Sequence, residues 1–109
     1  FILTMQLTLF RYNESRWGID GDLHINGHHF CDTVEHPLKR LPKGNYTFTH
    51  RNHPFLRGDG PMLARNGEII VGTNALPGLV KGSSIVFNRL YDQLKKAVAR
   101  GQTITLTIR

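Results

Sequence analysis

Six histidines among 109 residues make imidazole the first place to look for chemistry, because it is the side chain that exchanges protons near neutral pH. Four of them, His24, His28, His29 and His36, gather around the single cysteine, Cys31. A zinc centre would need several of these groups to converge. Neighbouring residues of a strand point to opposite faces, however, and the spacing matches no zinc-ligand pattern. No metal and no cofactor are expected, and Cys31 reads as a small packing residue. His50 and His53 border a long loop and are candidate proton-transfer groups. Ser83 and Ser84 are candidate nucleophiles, a role a hydroxyl takes only with a base in hydrogen-bond reach. No base stands beside them in sequence, so His50 or His53 would have to fold back onto them. Gly72-Thr73-Asn74 and Gly82-Ser83-Ser84 are candidate ligand-binding segments, since small residues let successive backbone amides approach a carboxylate or an oxyanion. Glu35, just before His36-Pro37, reads as half of a structural ion pair with an arginine rather than as an acid catalyst.

The elements that must position these groups are mostly short strands. Met5, Leu7 and Leu9 alternate with Gln6, Thr8 and Phe10, the period-2 pattern of a half-buried strand. Strands over 17–25 and 28–34 flank Asn26-Gly27, a dipeptide suited to a type I′ turn because both of its central positions need positive φ. Leu41-Pro42-Lys43-Gly44 is a turn, followed by a strand from Asn45 to Arg51 that alternates Tyr46, Phe48 and His50 with Thr47 and Thr49. Residues 52–66 read as a loop with little regular structure, and loops of that length are often functional. The apolar, β-branched stretch from Glu68 to Val71 suits an interior strand ending at Gly72. One amphipathic helix follows, with Asn88 as the expected N-cap and Asp92 near its positive end. Leu90, Leu94, Ala97 and Val98 form its buried face and Gly101 its terminating residue. A last strand alternates Ile104, Leu106 and Ile108 with three threonines. The expected fold is mainly β (α+β): one compact sandwich- or barrel-like domain over residues 1–109 with a single amphipathic helix.

Composition removes several classes of function. A hydrophobic fraction of 39% with 16 glycines and prolines describes a turn-rich globular domain rather than a disordered chain. One cysteine allows no internal disulfide. No apolar run approaches the roughly 20 residues that span a bilayer. In the first ten residues Gln6 and two threonines interrupt the apolar pattern and no small-residue cleavage site follows, so no export signal is expected. That leads to a cytoplasmic or phage-associated protein, with Met5 as a candidate start. The formal charge of +6 favours acidic partners. Its basic residues are dispersed, without a run of five or an aromatic ladder, so nucleic acid is not the expected partner.

The order of short motifs resembles a known family. Leu23-x-Ile25-x-Gly27, then Phe30-Cys31-x-Thr33-Val34-Glu35, then Leu41-Pro42-Lys43-Gly44-Asn45-Tyr46 resembles a group of small uncharacterised bacterial and phage proteins. In that group a later strand ends Ile-His-x-Gly-Asn and is followed by Gly-Cys-Ile. This pairing is similar to the L,D-transpeptidase catalytic domain, whose cysteine thiolate cross-links peptidoglycan stem peptides. Laid onto this chain, Ile70 and Asn74 match, Val71 stands where the histidine would be and Thr73 where the glycine would be. The Gly-Cys-Ile element falls on Ser83, Ser84 and Ile85, with Gly82 giving an alternative register, and Cys31 matches the group's strand cysteine instead. The resemblance thus implies an L,D-transpeptidase-like fold without its reaction, because valine accepts no proton and a serine lacking a base keeps its proton. The function it implies is a non-catalytic domain of bacterial or prophage origin that binds peptidoglycan peptide or a protein partner through the former active-site groove. Two alternatives accompany it: a serine hydrolase or acyltransferase acting on peptidoglycan, and a basic module that binds polyanions.

Overall fold

Every second residue of β1 (Thr4–Ser15) turns inward, and Met5, Leu7 and Leu9 are buried as the alternation predicts. The computed structural model describes residues 4–49, 51–52, 56–58 and 67–109. Strand β2 (Gly18–Ile25) pairs antiparallel with β1, and β3 (His28–Glu35) with β2. The turn between β2 and β3 has Asn26 at φ 49° and Gly27 at φ 86°, the two positive values a type I′ turn needs. Next come β4 (Gly44–Phe48), β5 (Leu56–Arg57), β6 (Ile69–Leu76), β7 (Leu79–Lys81), the helix α1 (Ser83–Ala99) and β8 (Thr103–Ile108).

The strands lie in the order β4-β8-β1-β2-β3-β6-β5, with β7 folded back onto β6. Strands hold 55% of the described residues, and the sheet curls into a half-barrel. A radius of gyration of 13.0 Å equals the roughly 13 Å of a compact chain of this length. Helix α1 closes one face. Val86, Leu90, Leu94 and Ala97, at successive turns, pack on Leu7, Leu9, Leu23, Val71, Ile104 and Leu106. No helix among the described residues is long and apolar enough to cross a membrane.

The strand expected over Asn45 to Arg51 ends at Phe48, and two further boundaries differ from the sequence reading. The helix starts at Ser83, not after Asn88, because the buried series Val86, Leu90, Leu94 reaches one turn further upstream. Asn88 is therefore an exposed mid-helix residue, and Asp92, far from the helix start, pairs with Lys96 one turn on at 3.0 Å. The C-terminal end is as expected. Gly101 donates to the Val98 carbonyl and Gln102 to that of Ala97, the paired bonds of a Schellman motif. Strand β6 does not stop at Gly72 but continues to Leu76, because its second half finds a partner in β7. Gly72 is where that partner comes closest: a Cβ there would lie 2.8 Å from Cβ of Val80.

The inward alternation of β1 ends on a charge. Arg11, the position after Leu9, meets Glu35 through Nε at 2.8 Å and Nη2 at 2.7 Å, and Nη2 also donates to the Leu41 carbonyl. Side-chain exposure is 9% for Arg11 and 1% for Glu35, so both charges are out of water and depend on one another. This is the structural ion pair expected for Glu35, and it ties β1, β3 and the segment before β4 together. Arg11→Ala leaves the Glu35 carboxylate buried without its partner and should cost about 3–5 kcal/mol in denaturant unfolding. Replacing both residues with apolar ones of similar volume should restore most of that loss.

Candidate functional site

The serines stand at the start of α1. The first intrahelical bond runs from Val86 N–H to the Gly82 carbonyl, so the amides of Ser83, Ser84 and Ile85 have no partner within the helix. The N-cap residue, Gly82, has φ 64° and offers no side-chain cap, and the first turn carries no acidic residue. The positive end of the helix dipole is left without a counter-charge of its own. Around it Val80, Gly82, Ser83, Ser84 and Ile85 line an open depression of about 310 Å³. The Ser83 hydroxyl donates to the Val71 carbonyl at 2.6 Å, fastening the helix start to β6. Ser84 is exposed, and among the described residues no hydrogen bond joins either serine to an imidazole. His50 and His53 lie outside the described residues.

The other expected binding segment sits elsewhere. Gly72, Thr73 and Asn74 are strand residues of β6 rather than a loop, and Val71, wholly buried, belongs to the core. The Asn74 side chain turns to the sheet face away from α1, where its amide donates to Oδ1 of Asp20 at 3.3 Å. The structure thus gathers Gly82, Ser83 and Ser84 at one depression and commits Gly72 and Asn74 to the β6–β7 hairpin.

That opposite face holds residues the sequence reading passed over. Asp20 is buried and accepts from the Gly78 backbone N–H at 2.9 Å, from Asn74, and from the Asn13 amide at 3.0 Å. Its neighbour two residues on, Asp22, is paired across the ladder with Asp32, whose Oδ2 accepts the Asn74 backbone N–H at 2.8 Å. These three carboxylates concentrate negative charge in a chain of net positive charge. The Tyr12 phenol is pushed above its ordinary value by partial burial first, then by the charges of Asp20, Asp32 and Asp22. Both flanking ladders are irregular. Tyr12 is an extra residue between Arg11 and Asn13, and Phe30 an extra residue between His29 and Cys31. Bulges of this kind re-aim side chains and are common beside functional sites. The signal in sequence was Asp20-x-Asp22 on one hairpin arm and Asp32 on the other. A regular two-residue hairpin, however, would set Asp22 against Cys31.

Cys31 itself faces the core as a free, buried thiol. Burial raises its thiol to about 12, helped by Asp32, against a backbone hydrogen bond with Gly72 and the charge of Arg89 that act the other way. No protein-family model matches this chain, and neither does any curated protein or solved structure to which it was compared.

The thiol has a pH consequence with a definite sign. An unfolded cysteine ionises near ~8.5, the folded one only at about 12, so above the lower value the unfolded chain holds fewer protons. Stability should fall as pH rises from there, and Cys31→Ala should flatten that slope in urea titrations across the alkaline range. At neutral pH the native thiol should react with a disulfide reagent far more slowly than the denatured one.

Proposed function

We propose that this domain is a non-catalytic, L,D-transpeptidase-like module that binds peptide, with a free carboxylate of the peptide received at the N-terminus of α1. The observation that carries the reading is the destination of the Ser83 proton. A nucleophilic serine hands its proton to a base, whereas Ser83 points its hydroxyl at the Val71 carbonyl, which cannot take it up. The residue in the place of the family's histidine, Val71, is sealed in the core and contributes only that carbonyl. What is left at the surface is a binding feature: three amides with no partner among the described residues, the Ser84 hydroxyl and an uncapped helix dipole around an open depression. Helix N-termini of this kind receive carboxylates and phosphates. The depression lies at the lower end of ligand-pocket sizes, suited to one or two terminal residues of a peptide rather than to a long chain.

Peptidoglycan stem peptides end in such carboxylates and are the ligand class this reading selects. Titration of a soluble stem tetrapeptide into the labelled protein should give saturable shifts of the Ser83, Ser84 and Ile85 amide resonances. Amidation of the peptide C-terminus should weaken binding roughly tenfold, the size of a favourable carboxylate–dipole contact. Stem-peptide turnover that disappears in Ser84→Ala would overturn the non-catalytic reading. Equal affinity for the acid and the amide would overturn the carboxylate assignment.

A further inference from the structure

On the sheet face away from α1, Asp22, His29 and Asp32 converge without serving the peptide site. Asp22 on β2 and Asp32 on β3 are direct cross-strand partners. His29 is three residues before Asp32, a spacing that in a regular strand puts the two on opposite faces. The extra residue at Phe30 reverses this. It lets Phe30 pack with Cys31 against the core while His29 returns to the face of Asp22 and Asp32. The result is one nitrogen and two carboxylate oxygens whose atoms all lie within 4.8 Å of one another.

The His29 nitrogen lies within ion-pair distance of both carboxylates. His29 Nε2 is 3.6 Å from Asp22 Oδ1 and 3.5 Å from Asp32 Oδ1. Hydrogen bonds between such atoms would close to roughly 2.7–3.2 Å. Two donors on one tetrahedral zinc ion stand ~3.4 Å apart at ordinary bond lengths, close to the spacing observed. The supporting contacts are those of a ligand set. The Asn74 backbone N–H holds Oδ2 of Asp32 and leaves Oδ1 for the cluster, as outer hydrogen bonds do for metal-binding carboxylates. The His24 ring meets that of His29 edge to face at 5.6 Å and restricts its orientation. Side-chain exposures of 36%, 52% and 23% for Asp22, His29 and Asp32 leave the cluster open to an ion arriving from solvent.

We propose that Asp22, His29 and Asp32 form a binding site for a divalent cation of the zinc class on the open face of the sheet. An imidazole among the donors selects such ions over calcium and magnesium, which prefer all-oxygen sets. Three protein donors leave coordination positions to water or to a ligand oxygen, so the bound ion would be accessible from outside. The site is distinct from the α1 depression and does not rest on its peptide-binding role.

The test is calorimetric titration of zinc chloride into the full chain at neutral pH, after chelator treatment and dialysis, with calcium chloride in parallel. One zinc ion per chain is expected, with calcium bound at least tenfold more weakly. Asp22→Asn and His29→Gln should each weaken zinc binding roughly tenfold or more, and His28→Gln, at an exposed neighbouring position, should leave it unchanged. Circular dichroism establishes that each variant is folded. The absence of saturable zinc binding to the unaltered protein would overturn the proposal and leave the cluster as a surface contact of His29 with two aspartates. Binding that survives His29→Gln, or calcium binding as tight as zinc, would overturn it equally.

Discussion

The fold depends on the insertion of its last strand, β8, between β1 and β4. β8 runs parallel to β1, with Leu106 beside Leu7 and Ile108 beside Leu9, and antiparallel to β4. β7 pairs with β6 and β8 lies between β4 and β1, so the chain needs a crossing element on its way to β8. Helix α1 is that element, and its buried residues rest on the strand it introduces. Without β8, β4 would lose its partner in the sheet and α1 part of its floor. The outer side of the same junction is polar and closed. The Gln6 amide donates to the Thr107 hydroxyl at 2.8 Å, and that hydroxyl donates to Asn45 at 2.7 Å, linking three strands in one chain of bonds. The alternation of Ile104, Leu106 and Ile108 with threonines serves both sides at once.

Toward the other edge β5 and the first half of β6 contribute Leu56, Ile69 and Val71 to the core, while the β6–β7 hairpin is held by polar groups. Strand β6 bends so that its outer half, with β7, returns over β2 and β3, and the hairpin's backbone donors must then be satisfied. Asp20 and Asp32 do this, accepting the Gly78 and Asn74 N–H groups respectively. Ionised acceptors make these bonds stronger than neutral ones, which suits a hairpin that buries little surface. On the core face, Arg11 of β1 and Glu35 of β3 pair at the strand ends. The two faces of β3 thus carry separate polar clusters, one internal and structural around Glu35, the other open to solvent around Asp32.

What the sequence made legible follows from how local each signal is. Alternation in β1 and β8, the Asn26-Gly27 turn and the Gly101 terminus each depend on a few adjacent residues, and all appear as read. The mainly β domain with one helix follows from them. The start of α1 is not legible locally, because Asn88 is a good capping residue in isolation while the tertiary contact of Val86 draws the helix back to Ser83. In sequence Gly72 looks like the end of a strand because a glycine lacks the side chain that strands favour. Its actual role, room for Val80, depends on a partner strand several residues away. The aspartate and histidine face was illegible for a stronger reason. A two-residue turn sets a register, and a single extra residue at Phe30 resets it, changing the partner of every position beyond.

That register change separates the two candidate sites by their physics. At the helix start the attraction is for negative charge, supplied by amides and a dipole that do not titrate. On the sheet face three carboxylates attract positive charge, against the sign of the chain as a whole. A ligand with a free carboxylate would be drawn to the first and repelled by the second, whereas a cation would reverse the preference. The hairpin β6–β7 connects them: Val71 receives the helix through Ser83, and three residues later Asn74 braces Asp32. An alteration of the hairpin's bend would therefore be felt at both ends, since Gly72 between them has no space for a side chain. The shared strand, rather than any shared ligand, makes the two sites parts of one structure.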